Sequence, residues 1–213
     1  MKRYIAELVA TFFLIFCGTG AMVINTESSG AISHFGVAAA WGLIVMIMIF
    51  AYGRISGAHM NPAVTLTLVI LKLHPKKELL PYWGSQLIGA FAASFALRFM
   101  FPEDEFLGAS LPSGSEGQSF ILEFILTFML MIVILLTSQG RKIEQYFAPI
   151  AIGATVMLEA LYAGPISKAS MNPFRSLAPA IVSGHTEHLW LYLVSTTLGA
   201  VVAGVYWTWQ RKY

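Results

Sequence analysis

The amino-acid sequence predicts an all-α membrane protein in which six transmembrane helices and two re-entrant half-helices form an inverted repeat. Of its 213 residues, 57% are hydrophobic and only 11% are charged, and the mean hydropathy is +0.70. A soluble domain of this size needs far fewer apolar residues. The prediction also depends on the number of long apolar stretches and on a short motif that occurs twice.

Six apolar stretches are long enough to cross the hydrocarbon core of a bilayer, which takes about 20 residues in a helix. The net charge of +2, without a basic tract, gives no indication of nucleic-acid binding. The lipid bilayer is the expected surrounding instead. The predicted spans are residues 5–24, 35–52, 80–101, 119–138, 147–163 and 189–209.

The repeated motif is an Asn-Pro pair, found at Asn61-Pro62 after the second span and at Asn172-Pro173 after the fifth. Asn is a preferred helix N-cap, and Pro is favoured at the first helical position. Each pair therefore predicts the start of a helix. The apolar stretches that follow end near residues 71 and 181, which is too short to cross the membrane, so each is predicted to be a re-entrant half-helix.

The two halves of the chain repeat the same order of elements, and several residues recur at nearly constant spacing. The pairs are Glu7 and Glu123, Asn61 and Asn172, and Gly89 and Gly199. Because each half contains three spans, an odd number, the second half must enter the membrane in the opposite direction. We expect one domain over residues 1–213, with a first repeat at about 1–101, an external linking loop at 102–118 and a second repeat at about 119–213.

The distribution of basic residues predicts that both termini are cytoplasmic, because Lys and Arg accumulate on that side of membrane proteins. Three basic residues, Arg98, Lys168 and Arg175, are exceptions and need another explanation. The residues on the predicted cytoplasmic side are Lys2, Arg3, Arg54, Lys72, Lys76, Lys77, Arg141, Lys142, Arg211 and Lys212.

The inverted repeat brings the N-termini of both half-helices together near the midplane of the membrane. Each N-terminus carries roughly half a positive charge, and the two Asn amides add N–H donors. A neutral hydroxylated solute can accept these hydrogen bonds, whereas a cation or a hydronium ion meets a positive barrier. We expect the pore midplane to be formed by Asn61, Pro62, Ala63, Asn172, Pro173 and Phe174.

Three ionisable residues within the apolar segments are candidates for specific roles. Arg175, one turn into the second half-helix, is predicted to face the pore, with a side chain that reaches the outer interface as the alternative. Glu7 and Glu123 are predicted to accept hydrogen bonds from backbone N–H groups of the half-helix loops, with direct solute contact as the alternative. No His or Cys accompanies them at ligand spacing, so a metal site is not expected.

Two further ionisable residues leave alternatives open. His59 lies at the predicted cytoplasmic mouth, where a structural histidine is the expectation and a pH-dependent gate is the alternative. Glu159 lies near the outer end of the fifth span, with Lys168 or Arg98 as alternative partners.

These motifs resemble those of a known family. They are the run SGAHMNPAVT from Ser56 to Thr65, the segment Met171-Asn172-Pro173 followed by Arg175-Ser176, and Glu-x-x-x-Thr in the first and fourth spans. Over essentially its whole length the chain resembles the aquaporin, or major intrinsic protein, family. The resemblance implies a right-handed helical bundle with one pore per subunit, assembled as a homotetramer, that conducts passively and is not an enzyme.

The resemblance also implies an outer selectivity filter at Trp41, Ala160, Ala169 and Arg175. An aromatic face, guanidinium donors and two small residues imply a wide opening, typical of the aquaglyceroporin and nodulin-26-like branch. Such members pass glycerol, urea or uncharged metalloid acids such as boric, silicic or arsenous acid, often with water, and need no cofactor. The short cytoplasmic termini favour a bacterial member in the inner membrane.

Phe174 departs from the family pattern, which has Ala after the second Asn-Pro pair. The ring either packs outward between half-helix and bundle or narrows the midplane, in which case the channel is selective for water or does not conduct. A secondary transporter is a further alternative, because inverted repeats with broken helices also form alternating-access sites.

Overall fold

The computed structural model of the protein describes residues 1–211, which contain α-helices, one short 3-10 turn and no β-strand. Lys212, one of the predicted cytoplasmic residues, lies outside this range. The helices are α1 Lys2–Glu27, α2 Ser33–Ser56, α3 Pro62–Ile70, α4 Leu79–Met100, α5 Glu116–Ser138, α6 Lys142–Ser167, α7 Pro173–Ser183 and α8 Leu189–Gln210, and the 3-10 turn is Lys76–Glu78.

Helix lengths separate the elements into two classes. Six helices have 22 to 26 residues, or at least about 33 Å at 1.5 Å per residue, enough for a bilayer core. α3 and α7 have 9 and 11 residues, or roughly 14 and 17 Å, and cannot cross. The predicted class of six spanning helices and two half-helices is confirmed.

Composition distinguishes α4 from the other long helices. Five of them, α1, α2, α5, α6 and α8, are both long and apolar enough to cross a membrane. α4 has sufficient length, but its 22 residues include Gln86, Ser94 and Arg98. Gln86 and Ser94 are buried, so this polarity is directed into the protein, and the equivalence of α4 with α8 makes it the sixth span.

Glycines allow the helices of each half to approach closely. A Cβ atom at Gly89 of α4 would lie 2.3 Å from the carbonyl oxygen of Leu8 in α1. At the equivalent Gly199 of α8 it would lie 2.4 Å from that of Phe124 in α5. Small residues permit such backbone contacts in membranes, where packing rather than the hydrophobic effect holds helices together. The matched glycines thus mark the same crossing in both halves.

The segments that lead into α3 and α7 have the same unusual backbone. Ala58 and Met60 before α3, and Ala169 and Met171 before α7, all have φ between 46° and 53°. Residues other than Gly rarely adopt such left-handed angles, because their Cβ atoms become crowded. Their presence at equivalent positions means that surrounding contacts hold both turns in place.

Several element boundaries differ from the prediction. The linking loop ends at Ser115 rather than at residue 118, because the Ser115 hydroxyl caps α5 by accepting from the Gln118 N–H. α6 is longer at both ends than residues 147–163, because apolarity marks only the portion of a helix inside the hydrocarbon. The proposed division of the chain into repeats at 1–101 and 119–213 stays a prediction.

The α1–α4 crossing can be tested with two glycines of one helix. Gly89→Ala forces α1 and α4 apart, and we expect a loss of about 1–3 kcal/mol of stability, measured as a lower unfolding temperature in detergent. Gly84→Ala is the control, because its Cβ would meet no atom within 4 Å. Equal unfolding temperatures for the two variants would contradict the close crossing.

Candidate functional site

The two half-helix tips are joined by a pair of crossed hydrogen bonds. The Asn61 Nδ2 donates to the carbonyl oxygen of Met171 at 2.7 Å, and the Asn172 Nδ2 donates to that of Met60 at 2.8 Å. Each amide oxygen caps its own helix, since Asn61 accepts from the Ala63 N–H and Asn172 accepts from N–H groups in the first turn of α7. An amide nitrogen has two hydrogens, so each Asn retains one for a solute.

A cavity of about 950 Å³ passes these tips. Trp41 and Arg175 line one end of it, and Arg54 and Lys142, on the predicted cytoplasmic side, line the other. The described lining residues include Asn61 and Asn172 but neither Asp nor Glu. The cavity therefore presents guanidinium, ammonium and amide donors without a compensating carboxylate.

Glu7 anchors the turn before α3. Its side chain is fully buried; one carboxylate oxygen accepts from the Ser56 hydroxyl at 2.7 Å and the His59 N–H at 2.8 Å. The other oxygen accepts from the Met60 N–H at 2.9 Å and the Gln86 Nε2 at 2.8 Å. Four donors thus stabilise an otherwise costly buried carboxylate.

Glu123 occupies the equivalent position before α7. It is also fully buried and accepts from the Ser167 hydroxyl and the N–H groups of Ser170 and Met171, at 2.7, 2.8 and 2.9 Å. These contacts support the structural role predicted for both carboxylates, which remains a prediction until it is tested. Neither carboxylate lines the 950 Å³ cavity among the residues described.

Arg175 is held by the linking loop. Its guanidinium donates from Nη1 to the Gly108 carbonyl at 2.8 Å and the Ser110 hydroxyl at 2.9 Å, and from Nη2 to the Met22 sulfur at 3.2 Å. Its Cζ lies 4.7 Å from the centroid of the Trp41 ring. The sequence identified Arg175 but not Gly108, Ser110 or Met22, because residues of an irregular loop and of another helix have no recognisable spacing from it.

The four predicted filter residues do not all line the cavity. Trp41, Ala169 and Arg175 do, whereas Ala160 is buried and is absent from the described lining. The Trp41 indole lies against the Arg175 guanidinium, and the wide opening expected beside these residues stays a prediction. Gly18 permits this position, because a Cβ there would lie 2.4 Å from the Trp41 ring.

Only the asparagines of the predicted midplane set contact the cavity. Pro62, Ala63 and Pro173 are buried in the packing of the half-helices and do not line it within the described chain. Phe174 is partly buried and packs against the main hydrophobic cluster; it too is absent from the described lining. At the start of each half-helix, Pro and the residue after it are turned away from the tip, whereas the side chain of the N-cap Asn stays at the tip.

His59 lines the cavity and takes part in a cluster of rings. Its Nδ1 lies 3.1 Å from the Thr65 hydroxyl, and its ring centroid is 4.8 Å from that of His74 and 5.0 Å from that of Tyr82. Burial lowers the pKa of His74, which favours a neutral ring in this cluster. The contacts support a structural role for His59, and a gating role stays untested.

Glu159 has neither of the partners considered for it. Its side chain is fully buried, and within residues 1–211 neither carboxyl oxygen has a hydrogen-bond partner. Arg98 instead donates to the carbonyl oxygens of Pro102 and Asp104, at 3.0 and 2.9 Å. Lys168 ends α6 in the left-handed conformation, with φ 67°. The pairing of Glu159 with Arg98 or Lys168 was therefore wrong.

Comparison with known proteins identifies the family. Residues 1–207 match the model of the major intrinsic protein family. The chain belongs to this family. It is 46% identical over 202 residues to aquaporin NIP1-1 of Oryza sativa subsp. japonica, covering 94% of this chain and 71% of the relative. It is 42% identical over 212 residues to probable aquaporin NIP4-2 of Arabidopsis thaliana, covering 99% and 75%.

A solved structure supports the same assignment. The X-ray structure of the aquaglyceroporin from Plasmodium falciparum superposes with a TM-score of 0.86 at 25% identity, covering 97% of this chain and 94% of that one. The major intrinsic protein described here is thus a multi-pass membrane channel for water and small neutral solutes.

The anchoring role of Glu7 predicts a stability defect in Glu7→Gln. The new amide nitrogen would face two of the four donors, leaving them unpaired, at a cost of roughly 1–3 kcal/mol. We expect a lower unfolding temperature in detergent. Glu27→Gln, at the exposed end of the same helix, is the control. A fully stable Glu7→Gln channel with altered selectivity would instead favour direct solute contact.

Proposed function

We propose that this major intrinsic protein conducts glycerol or similar polyols, and small uncharged acids such as boric, silicic or arsenous acid, together with water. One observation carries the proposal: the cavity joins Asn61 and Asn172 to Arg175 without a lining carboxylate among the described residues. Hydroxylated neutral molecules can accept hydrogen bonds from these donors in succession. In this proposal the flux is passive and follows the concentration gradient of the solute.

Exclusion of ions and protons follows from the same geometry. α3 and α7 both direct their N-termini at the region of Asn61 and Asn172, and each N-terminus carries roughly half a positive charge. A cation that loses its water shell there meets positive potential and N–H donors instead of acceptors. A water molecule bound by the two amides must direct its oxygen at them, which interrupts proton relay.

The solute range is supported by the small side chains near the constriction. Ala169 lines the cavity together with Arg175 and has a small side chain, and the Trp41 ring offers an apolar face to the carbon side of a polyol. The similarity to an aquaglyceroporin structure and to nodulin-26-like aquaporins agrees with this range. Small side chains at the filter favour the passage of solutes larger than water.

Two alternatives have specific observations in their favour. A water-selective channel is favoured by the Trp41–Arg175 contact, in which the indole lies against the guanidinium of a cavity-lining arginine. Narrowing by Phe174 is not favoured, because Phe174 is absent from the described lining of the cavity. A secondary transporter is favoured by Glu159, since an intramembrane carboxyl without a partner is a candidate ion or proton site.

We also propose a homotetramer in a bacterial inner membrane with both termini cytoplasmic. Large apolar side chains such as Ile88, Phe95 and Val205 are exposed on the outside of the single chain. Lipid and neighbouring subunits would cover them. The distribution of basic residues supports the orientation.

The test of the proposed function is stopped-flow light scattering on proteoliposomes, with water, glycerol and boric acid each compared against empty liposomes. We expect fast, non-saturating flux of all three. Saturable uptake that depends on an ion gradient would establish the transporter alternative, and water flux alone would establish the water-selective one.

Substitutions at the constriction should change solute flux in predictable directions. Arg175→Ala removes the charge and admits larger or charged solutes. Ala160→His combined with Ala169→Phe fills the space beside Arg175, so polyol flux should fall at least about tenfold, the effect of 1.4 kcal/mol on a barrier, while water flux persists. Unchanged polyol flux in the double variant would remove both alanines from the filter.

A further inference from the structure

Two basic residues lie at the same level on neighbouring helices and line one end of the 950 Å³ cavity. α2 and α6 pack in antiparallel directions, and a Cβ atom at Gly42 would lie 2.6 Å from the carbonyl oxygen of Gly153. Arg54 follows Gly42 by about three turns of α2, and Lys142 precedes Gly153 by about three turns of α6. Both residues therefore border the same opening, called here the inner mouth, which is cytoplasmic in the proposed orientation.

Neither basic side chain at the inner mouth has a partner. Within residues 1–211, Arg54 and Lys142 form neither side-chain hydrogen bonds nor ion pairs. The nearby carboxylate of Glu144 is engaged by Arg141 at 2.7 Å, and that of Glu78 is paired near the N-terminus. The described cavity lining contains neither Asp nor Glu. A cleft lined by charges of one sign concentrates ions of the opposite sign, so the inner mouth favours an anion.

The orientation of the chain in the membrane does not require basic residues on the cavity wall. Lys72, Lys76 and Lys77 also lie on the predicted cytoplasmic side, and none of them is among the described lining residues. Lys and Arg anywhere near the ends of the spans contribute to orientation. The position of Arg54 and Lys142 on the cavity therefore needs a separate explanation.

Neutral hydrogen-bonding groups surround the two cations. Gln139 and Gln145 line the cavity, and their Nε2 atoms donate to the Ser138 hydroxyl at 3.3 Å and to the Gly140 carbonyl at 2.9 Å. Within the described chain their amide oxygens accept no hydrogen bond. These oxygens can accept hydrogen bonds from the hydroxyl groups of a ligand.

A phosphate monoester of a small polyol fits both sets of groups. The phosphate carries a charge of about −1.5 to −2 at neutral pH, which two cations can balance. The guanidinium of Arg54 can bind two phosphate oxygens at once, and Lys142 adds a point charge. The hydroxyl groups of the ester can donate to the amide oxygens of Gln139 and Gln145. A simple carboxylate has a single charge and leaves those oxygens unused.

We propose that the inner mouth binds the phosphate monoester of a small polyol between Arg54 and Lys142, and that the bound ester occludes the mouth. The ligand is a soluble ester rather than a lipid headgroup, because both basic residues line the cavity. The identity of the polyol rests on the proposed function, whereas the anion site does not. Phosphorylation is the class of reaction that converts a conducted polyol into such an ester, so its product would reduce the entry of its own precursor.

The first test measures the binding of glycerol 3-phosphate and of inorganic phosphate to the full chain in a nonionic detergent, by calorimetry. The ester should bind more tightly, because only the ester has hydroxyl groups for the two Gln side chains. Arg54→Gln and Lys142→Gln should each weaken binding about threefold to tenfold, as expected for a partly exposed ion pair, and the double variant should weaken it further. Lys76→Gln, at an exposed residue outside the described cavity lining, is the matched control and should bind like the wild type.

The second test measures water permeability in proteoliposomes of neutral lipid with glycerol 3-phosphate on both sides. Each protein is compared with itself in chloride of equal ionic strength. At an ester concentration of about ten times Kd, roughly nine tenths of the sites are occupied. Water permeability should therefore fall about fivefold to tenfold in the wild type and in Lys76→Gln, and should change little in the double variant.

The outcomes separate this inference from the proposed function. Equal binding to the wild type and the double variant, or binding that leaves water permeability unchanged, would overturn the inference. Reduced permeability in phosphatidylglycerol vesicles without ester would assign the mouth to lipid headgroups and would also overturn it. If the wild type passes water but not glycerol, the proposed solute range fails, while ester binding and the block of water flux still establish the anion site. Unfolding temperatures equal to that of the wild type verify that the variants are folded.

Discussion

The crossed hydrogen bonds between Asn61 and Met171 and between Asn172 and Met60 are the constraint on which the pore depends. They join the tips of two helices that enter from opposite sides, and they fix the direction of the remaining amide hydrogens. The left-handed turns at the tips are costly alone, and Glu7 and Glu123 stabilise them by accepting their backbone N–H groups. Scaffold and conduction path are therefore parts of one hydrogen-bond network.

The second consequence of this arrangement is electrostatic. Buried carboxylates are placed behind the turns, where backbone donors satisfy them, and the described cavity wall retains only positive and neutral groups. Selectivity for uncharged solutes thus depends on the position of the buried carboxylates, which lie behind the turns and not in the cavity wall. Glu159 is the exception, because nothing in the described structure satisfies its carboxyl group.

The sequence predicted the fold well, because each step had a local or symmetric signal: apolar length for the spans, Asn-Pro for the half-helices and Gly89 with Gly199 for the crossings. It was less informative about the constriction. The position of Trp41 depends on Gly18, and that of Arg175 depends on Gly108, Ser110 and Met22. These partners are distant in the chain, so no spacing indicates them, and the state of the opening required the three-dimensional arrangement.

The crossed asparagine bonds also have a consequence for biosynthesis. The acceptor of Asn61 lies 110 residues further along the chain, so the first half-helix is made long before its tip can be completed. At roughly 5–20 residues per second, about 5 to 20 seconds of translation separate the two residues. During that interval the first turn already has its anchor, Glu7, which precedes it in the chain. The ribosome thus synthesises the anchor Glu7 first, the tip residue Asn61 second and its acceptor Met171 last.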